Sequence, residues 1–76
     1  MEIRVGLIGY GLAGSVFHAP LVAATPGMRL AMVVTGNAER AAQARREQPG
    51  AEIVPRAERL WERAGELDLV VVASPN

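Results

Sequence analysis

The sequence predicts an α/β fold, the first half of a doubly wound parallel sheet with strand order 3-2-1-4, and three observations predict it. Short apolar strand patterns alternate with helical ones along all 76 residues. A glycine-rich turn, Gly9-Tyr10-Gly11-Leu12-Ala13-Gly14, joins the first strand to the first helix. The last strand pattern, Leu67 to Ala73, is nearly all apolar, as expected of a strand covered on both faces in a parallel sheet. Right-handed crossovers then fix the strand order.

Ile3, Val5 and Leu7 alternate before Gly9 and define a first strand over about residues 2–8. A helix follows from Leu12 to Ala24. Pro20, which has no amide hydrogen, should kink or restart it near His18 and Ala19. Thr25-Pro26-Gly27 ends that helix, and Met28 to Thr35 forms the second strand. Gly36-Asn37 provides a turn in which Asn37 caps a second helix, with Glu39 in its first turn and Arg45 and Arg46 in its last. Ala38, Ala41 and Ala42 give that helix a small-residue face for close packing on a sheet. After the Pro49-Gly50 loop, Glu52 to Val54 is a short third strand closed by Pro55. Arg56 to Ala64 reads as a short helix, with Leu60 and Trp61 as core anchors and Gly65 as its stop.

Composition limits the classes of function. Half the residues are apolar and eight acids balance eight bases, which describes a soluble globular piece of one domain at most. A chain this short buries only about 60% of its unfolded surface, and no cysteine staples it. Zero net charge argues against nucleic acid as a partner. Every basic residue is arginine, so chemistry needing a lysine base must come from elsewhere. The N-terminus lacks the order of a signal peptide, and the longest apolar run is far short of the roughly 20 residues that span a bilayer. No membrane partner and a cytoplasmic location are therefore expected.

The glycine hexapeptide gains its meaning from context, since it follows a strand and opens a helix, as in a Rossmann-type dinucleotide site. Gly9 permits the tight turn, Gly11 lets backbone approach a pyrophosphate, and Gly14 lets helix and strand pack closely. The anion would sit at the helix N-terminus. About 20 residues further on, where an acid commonly holds the ribose hydroxyls of NAD, stands Thr35. No acid occurs in Val34-Thr35-Gly36-Asn37, whereas Thr35 and Asn37 can hydrogen-bond a ribose phosphate and Arg40 can pair with it. The expected cofactor is NADP or NAD, with a lean toward NADP.

The run from Gly6 to Leu21, and Phe17-His18-Ala19-Pro20 within it above all, closely resembles the N-terminal segment of the Gfo/Idh/MocA oxidoreductases. Val70-Val71-Val72-Ala73-Ser74-Pro75-Asn76 resembles the fourth-strand motif of that family. The resemblance implies a two-domain enzyme that moves a hydride between a nicotinamide and a hydroxyl or carbonyl carbon of a sugar, polyol or related small molecule. Residues 1–76 would be the N-terminal part of its cofactor domain. The family's Glu-Lys-Pro motif, with its lysine, and its C-terminal substrate and oligomer domain would lie outside these residues. The resemblance carries Gly9, Gly11 and Gly14 to the pyrophosphate, the Thr35 to Arg40 region to the adenosine ribose, and Ser74, Pro75 and Asn76 to the middle of the cofactor. It transfers no catalytic residue, so these residues alone are expected to be inactive. A homo-oligomer is expected, and the fourth strand, at a sheet edge, is expected to self-associate along Leu69 to Ala73. A non-catalytic nucleotide-binding module and a structural piece without ligand affinity are the alternative readings.

The remaining candidates have plain explanations. His18, the single histidine, has no visible carboxylate partner and suits packing or capping better than acid-base work. Tyr10 either borders the cofactor or covers the helix start as a partly exposed aromatic. Glu58, Glu62 and Glu66 alternate with Arg59 and Arg63 as a solvated helix face. One histidine and no cysteine are too few for the usual zinc sites, and no metal is expected.

Overall fold

A computed structural model describes residues 2–73. The chain runs β1 (Ile3–Ile8), a π-helical segment (Gly14–His18), α1 (Ala19–Ala24), β2 (Met28–Val34), α2 (Ala38–Glu47), β3 (Glu52–Val54), α3 (Ala57–Glu62), a 3-10 turn (Ala64–Glu66) and β4 (Leu69–Val72). All strand pairs are parallel, and the order is β3-β2-β1-β4. The expected topology is therefore observed. Winding proceeds outward from β1 to β3 and then returns to the other side of β1. That reversal opens a crevice at the carboxyl ends of the strands, where ligands of open α/β sheets bind.

The β2 strand explains how both faces acquire a core. Val5 pairs with Leu30 but Gly6 pairs with Met32, so Ala31 is bulged out of register. The extra residue switches the alternation. Leu30 and Val33 pack with Val5, Leu7, Tyr10, Ala19, Val22 and Ala44 on the side of α1 and α2. Met32 and Val34 pack with Val54 and Leu60 on the side of α3.

The break expected at Pro20 takes a specific form. Residues 12–24 are helical throughout, but Gly14–His18 widens into a π turn in which Ala19 N–H bonds the Gly14 carbonyl. Pro20 follows directly in the first turn of α1, so the widened turn falls where its missing N–H interrupts the helical ladder. Asn37 caps α2 as expected, its side-chain oxygen accepting the Arg40 N–H at 3.0 Å.

Three sequence expectations are corrected. Trp61 is 54% exposed while Leu60 is fully buried. Adjacent helical residues point about 100° apart, and α3 turns Leu60 toward the sheet and Trp61 toward solvent. Gly65 is no helix stop: α3 ends at Glu62, and Gly65 lies inside the 3-10 turn with no positive φ. Nor is β4 fully covered: Val71 packs against one core cluster and Val70 against the other, but Leu69 and Val72 are exposed, and among the described residues β1 is its one strand neighbour.

Ion pairs fasten the amino ends of the strands. Arg4 meets both Asp68 carboxylate oxygens at 3.0 and 3.3 Å, and its backbone N–H donates to the same group at 2.8 Å. These contacts align β4 with β1 and hold the Asp68 carboxyl below its ordinary range. Arg63 joins Glu66 of the 3-10 turn to Glu52 of β3. No helix among the described residues is long and apolar enough to cross a membrane.

Candidate functional site

The glycine loop leaves β1 at its carboxyl end and is tied to the end of β2 by a 2.8 Å bond from Gly9 N–H to the Val34 carbonyl. Gly9 has φ 101°, a region that L side chains rarely enter, so glycine is required for the turn itself. Gly14 is required for space. A methyl group there would collide with the Gly9 carbonyl oxygen and stand 3.1 Å from its carbon, so the helix rests directly on the loop. Ser15 locks the first turn, its N–H and hydroxyl both donating to the Gly11 carbonyl at 2.9 and 2.8 Å.

Gly11 differs from both. The atoms nearest to the position a Cβ would take belong to the Arg40 guanidinium, at 3.5 Å, an ordinary contact distance. A side chain there would extend beside that cation at the edge of the groove that Gly11 lines. The N–H groups of the following helical turn have no intrahelical partner and suit a phosphate.

These residues form one wall of a groove of about 320 Å³, within the range of small-molecule sites. It is lined by Ile8 to Gly11 of the loop, Val34 to Asn37 and Arg40 beyond β2, and Pro55 to Ala57 beyond β3. The β2 loop holds itself in shape: Thr35 is buried, its N–H donates to the Val54 carbonyl at 3.0 Å, and its hydroxyl accepts the Asn37 N–H at 3.4 Å. The Asn37 oxygen is engaged by the Arg40 N–H, and the Arg40 guanidinium has no side-chain partner among the described residues. Among the described residues no acid lines the groove.

The structure thus brings together Gly9, Tyr10, Gly11, Thr35, Gly36, Asn37 and Arg40. Leu12, Ala13 and Gly14 do not line the groove; they form the start of the helix beside it, Leu12 and Ala13 exposed and Gly14 buried. Ser74, Pro75 and Asn76 lie outside the described residues. Tyr10 is neither a border for a ligand nor a partly exposed cover, because its side chain is only 1% exposed and belongs to the α1/α2 core. Its hydroxyl donates to Glu47 at 2.7 Å, and burial together with that carboxylate pushes the phenol up to about 12. Only its backbone can serve a ligand. His18 is half-buried and makes no side-chain hydrogen bond among the described residues.

Sequence reasoning missed Arg56, which lines the groove from the β3 side. A signal was available, because Arg56 follows the end of a parallel strand where ligands of such sheets bind. A second hollow, of about 280 Å³, lies at the amino ends of the strands, among Arg4, Arg29, Glu52, Arg63 and Glu66. Its charges are paired with carboxylates nearby, including Asp68 and Glu2, which suits a structural role.

Sheet order, glycine loop and groove define a dinucleotide-binding domain of the Rossmann class. Residues 3–76 match the Gfo/Idh/MocA oxidoreductase family with its NAD-binding Rossmann fold, and the chain belongs to that family. It is 39% identical over 75 residues to YdgJ of Escherichia coli, described as an uncharacterized oxidoreductase, covering 99% of this chain and 20% of that protein. It is 35% identical over 74 residues to the scyllo-inositol 2-dehydrogenase (NADP(+)) IolW of Bacillus subtilis, covering 97% and 20%. An oxidoreductase structure from Bacteroides fragilis superposes with a TM-score of 0.88 at 34% identity, covering 100% of this chain and 22% of that one. The chain therefore spans about a fifth of the length of the curated relatives it matches.

Proposed function

We propose that this chain holds NADP in preference to NAD, as the cofactor-binding part of an oxidoreductase acting on a hydroxyl or carbonyl carbon of a sugar, polyol or related small molecule. The carrying observation is the charge of the groove: the Arg40 guanidinium stands beside Gly11, and no carboxylate lines the walls among the described residues. A carboxylate would repel a ribose phosphate and accept from free ribose hydroxyls; a guanidinium does the reverse. The relative IolW, named for NADP(+), supports the same reading.

The loop residues Gly9 to Gly14 are assigned to the pyrophosphate, Thr35 to Arg40 to the adenosine ribose, and Ser74 to Asn76 to the middle of the cofactor. When bound, the nicotinamide supplies the hydride acceptor or donor. The residues described here bind and orient it, and none is assigned a proton-transfer role. The complete protein is proposed to be a cytoplasmic homo-oligomer whose second domain holds the substrate.

Calorimetric titration tests the preference. NADP⁺ is expected to bind at least about tenfold more tightly than NAD⁺, and Arg40→Ala to remove most of that difference with little change for NAD⁺. Tighter binding of NAD⁺ by the unmodified chain would overturn the reading.

A further inference from the structure

We propose that Arg56 is a second specificity-determining cation, which closes on the ribose phosphate from the β3 side while Arg40 holds it from the α2 side. The inference rests on the NADP reading above and adds a residue that the glycine-loop pattern does not contain. Its starting point is how the arginines are used. Arg4, Arg29, Arg59 and Arg63 each end on a carboxylate within 3.7 Å. Arg40, Arg45, Arg46 and Arg56 pair with no carboxylate among the described residues, and of these four Arg40 and Arg56 front the same groove.

The backbone explains why they meet there. Thr35 N–H bonds the Val54 carbonyl at the end of β3, and a Cβ on Gly36 would stand 3.4 Å from the Pro55 carbonyl oxygen. The loops after β2 and β3 therefore abut. Arg56 leaves this junction in extended backbone, φ −140° and ψ 148°, before α3 begins. Its exposed side chain has no partner among the described residues, like that of Arg40, which lines the same groove.

Two like charges facing an acid-free groove repel one another, and an arriving dianion relieves that repulsion. A terminal phosphate offers three acceptor oxygens, whereas one guanidinium engages two of them side by side. A second arginine lining the same groove completes the set. Free ribose hydroxyls give this pair no comparable reward, so its effect falls on NADP rather than on NAD.

Titrations of the full chain and of Arg56→Gln, Arg56→Lys and Arg40→Ala with NADP⁺ and with NAD⁺ test the proposal. Arg56→Gln is expected to weaken NADP⁺ about tenfold while NAD⁺ stays within about twofold, and Arg56→Lys to recover part of the loss. Equal weakening of both cofactors would place Arg56 on the adenine they share and overturn the proposal. No change for either would overturn it as well. In both cases an NADP⁺ preference abolished by Arg40→Ala would leave the parent reading standing. A preference of the unmodified chain for NAD⁺ removes both. Because Arg56 is exposed, unchanged thermal melting of each variant confirms that affinity, not folding, is being compared.

Discussion

Gly14→Ala is expected to destabilise the domain by about 3 kcal/mol, lowering its melting temperature by roughly 12–24 °C. The added methyl meets the Gly9 carbonyl oxygen, a backbone atom fixed by the bond between Gly9 N–H and Val34, rather than the end of a side chain that could swing away. Either the helix lifts from the loop or the loop leaves its turn. Both also displace the first-turn N–H groups, so dinucleotide affinity falls with stability. Gly11→Ala makes the informative contrast. Its methyl has open space except for the Arg40 guanidinium at 3.5 Å, so the fold should lose less than about 1 kcal/mol while cofactor binding is blocked. Thermal melting followed by circular dichroism separates the two, and a Gly14→Ala loss below that of Gly11→Ala would contradict the packing described.

The second large effect belongs to Tyr10. Tyr10→Ala is expected to cost about 3–5 kcal/mol, since its ring is among the largest fully buried groups and joins the glycine loop to α2. A domain of this length is stable by only roughly 4–11 kcal/mol, so the variant should lose a large fraction of its stability and melt at a much lower temperature. Tyr10→Phe isolates the hydroxyl and is expected to cost about 1 kcal/mol through loss of the Glu47 bond. The pH dependence has a definite sign. The folded phenol titrates near 12, above the ordinary value of about 10 that the unfolded chain should show, so folding favours the protonated form. Its contribution is complete below about pH 10 and is lost as pH rises through 12, a fall of up to about 3 kcal/mol. Denaturant unfolding between pH 9 and 12 should show this fall in the parent and not in Tyr10→Phe. Equal slopes would contradict the buried Tyr10–Glu47 contact.

Much of the architecture was legible because it is written in short-range patterns. Alternation in β1, the cap at Asn37 and the glycine turn each depend on neighbours within a few residues, and each stands where expected. What escaped depends on contacts distant in sequence. Whether Tyr10 turned toward ligand or core was decided by Glu47 and by Val22 and Ala44, contributed by two different helices. Leu60 and Trp61 look equivalent in a hydrophobicity pattern, and only the angle at which α3 meets the sheet separates them. The bulge at Ala31 changes which β2 side chains share a face, and no glycine or proline marks it. The groove was half legible: Thr35 to Arg40 could be placed by counting from the glycine loop, whereas Arg56 joined it only when β3 was laid beside β2.

The central assignment, a nicotinamide dinucleotide laid across the glycine loop and the groove beyond β2, is tested most directly by titrating NADP⁺ into isotope-labelled protein and following its backbone amides. The account predicts saturable shifts concentrated at Gly9, Gly11, Leu12 and Thr35 to Arg40, with the hollow near Arg29 and Glu52 at the opposite end of the sheet unaffected. No saturable binding, or shifts centred on Arg29 and Glu52, would contradict it.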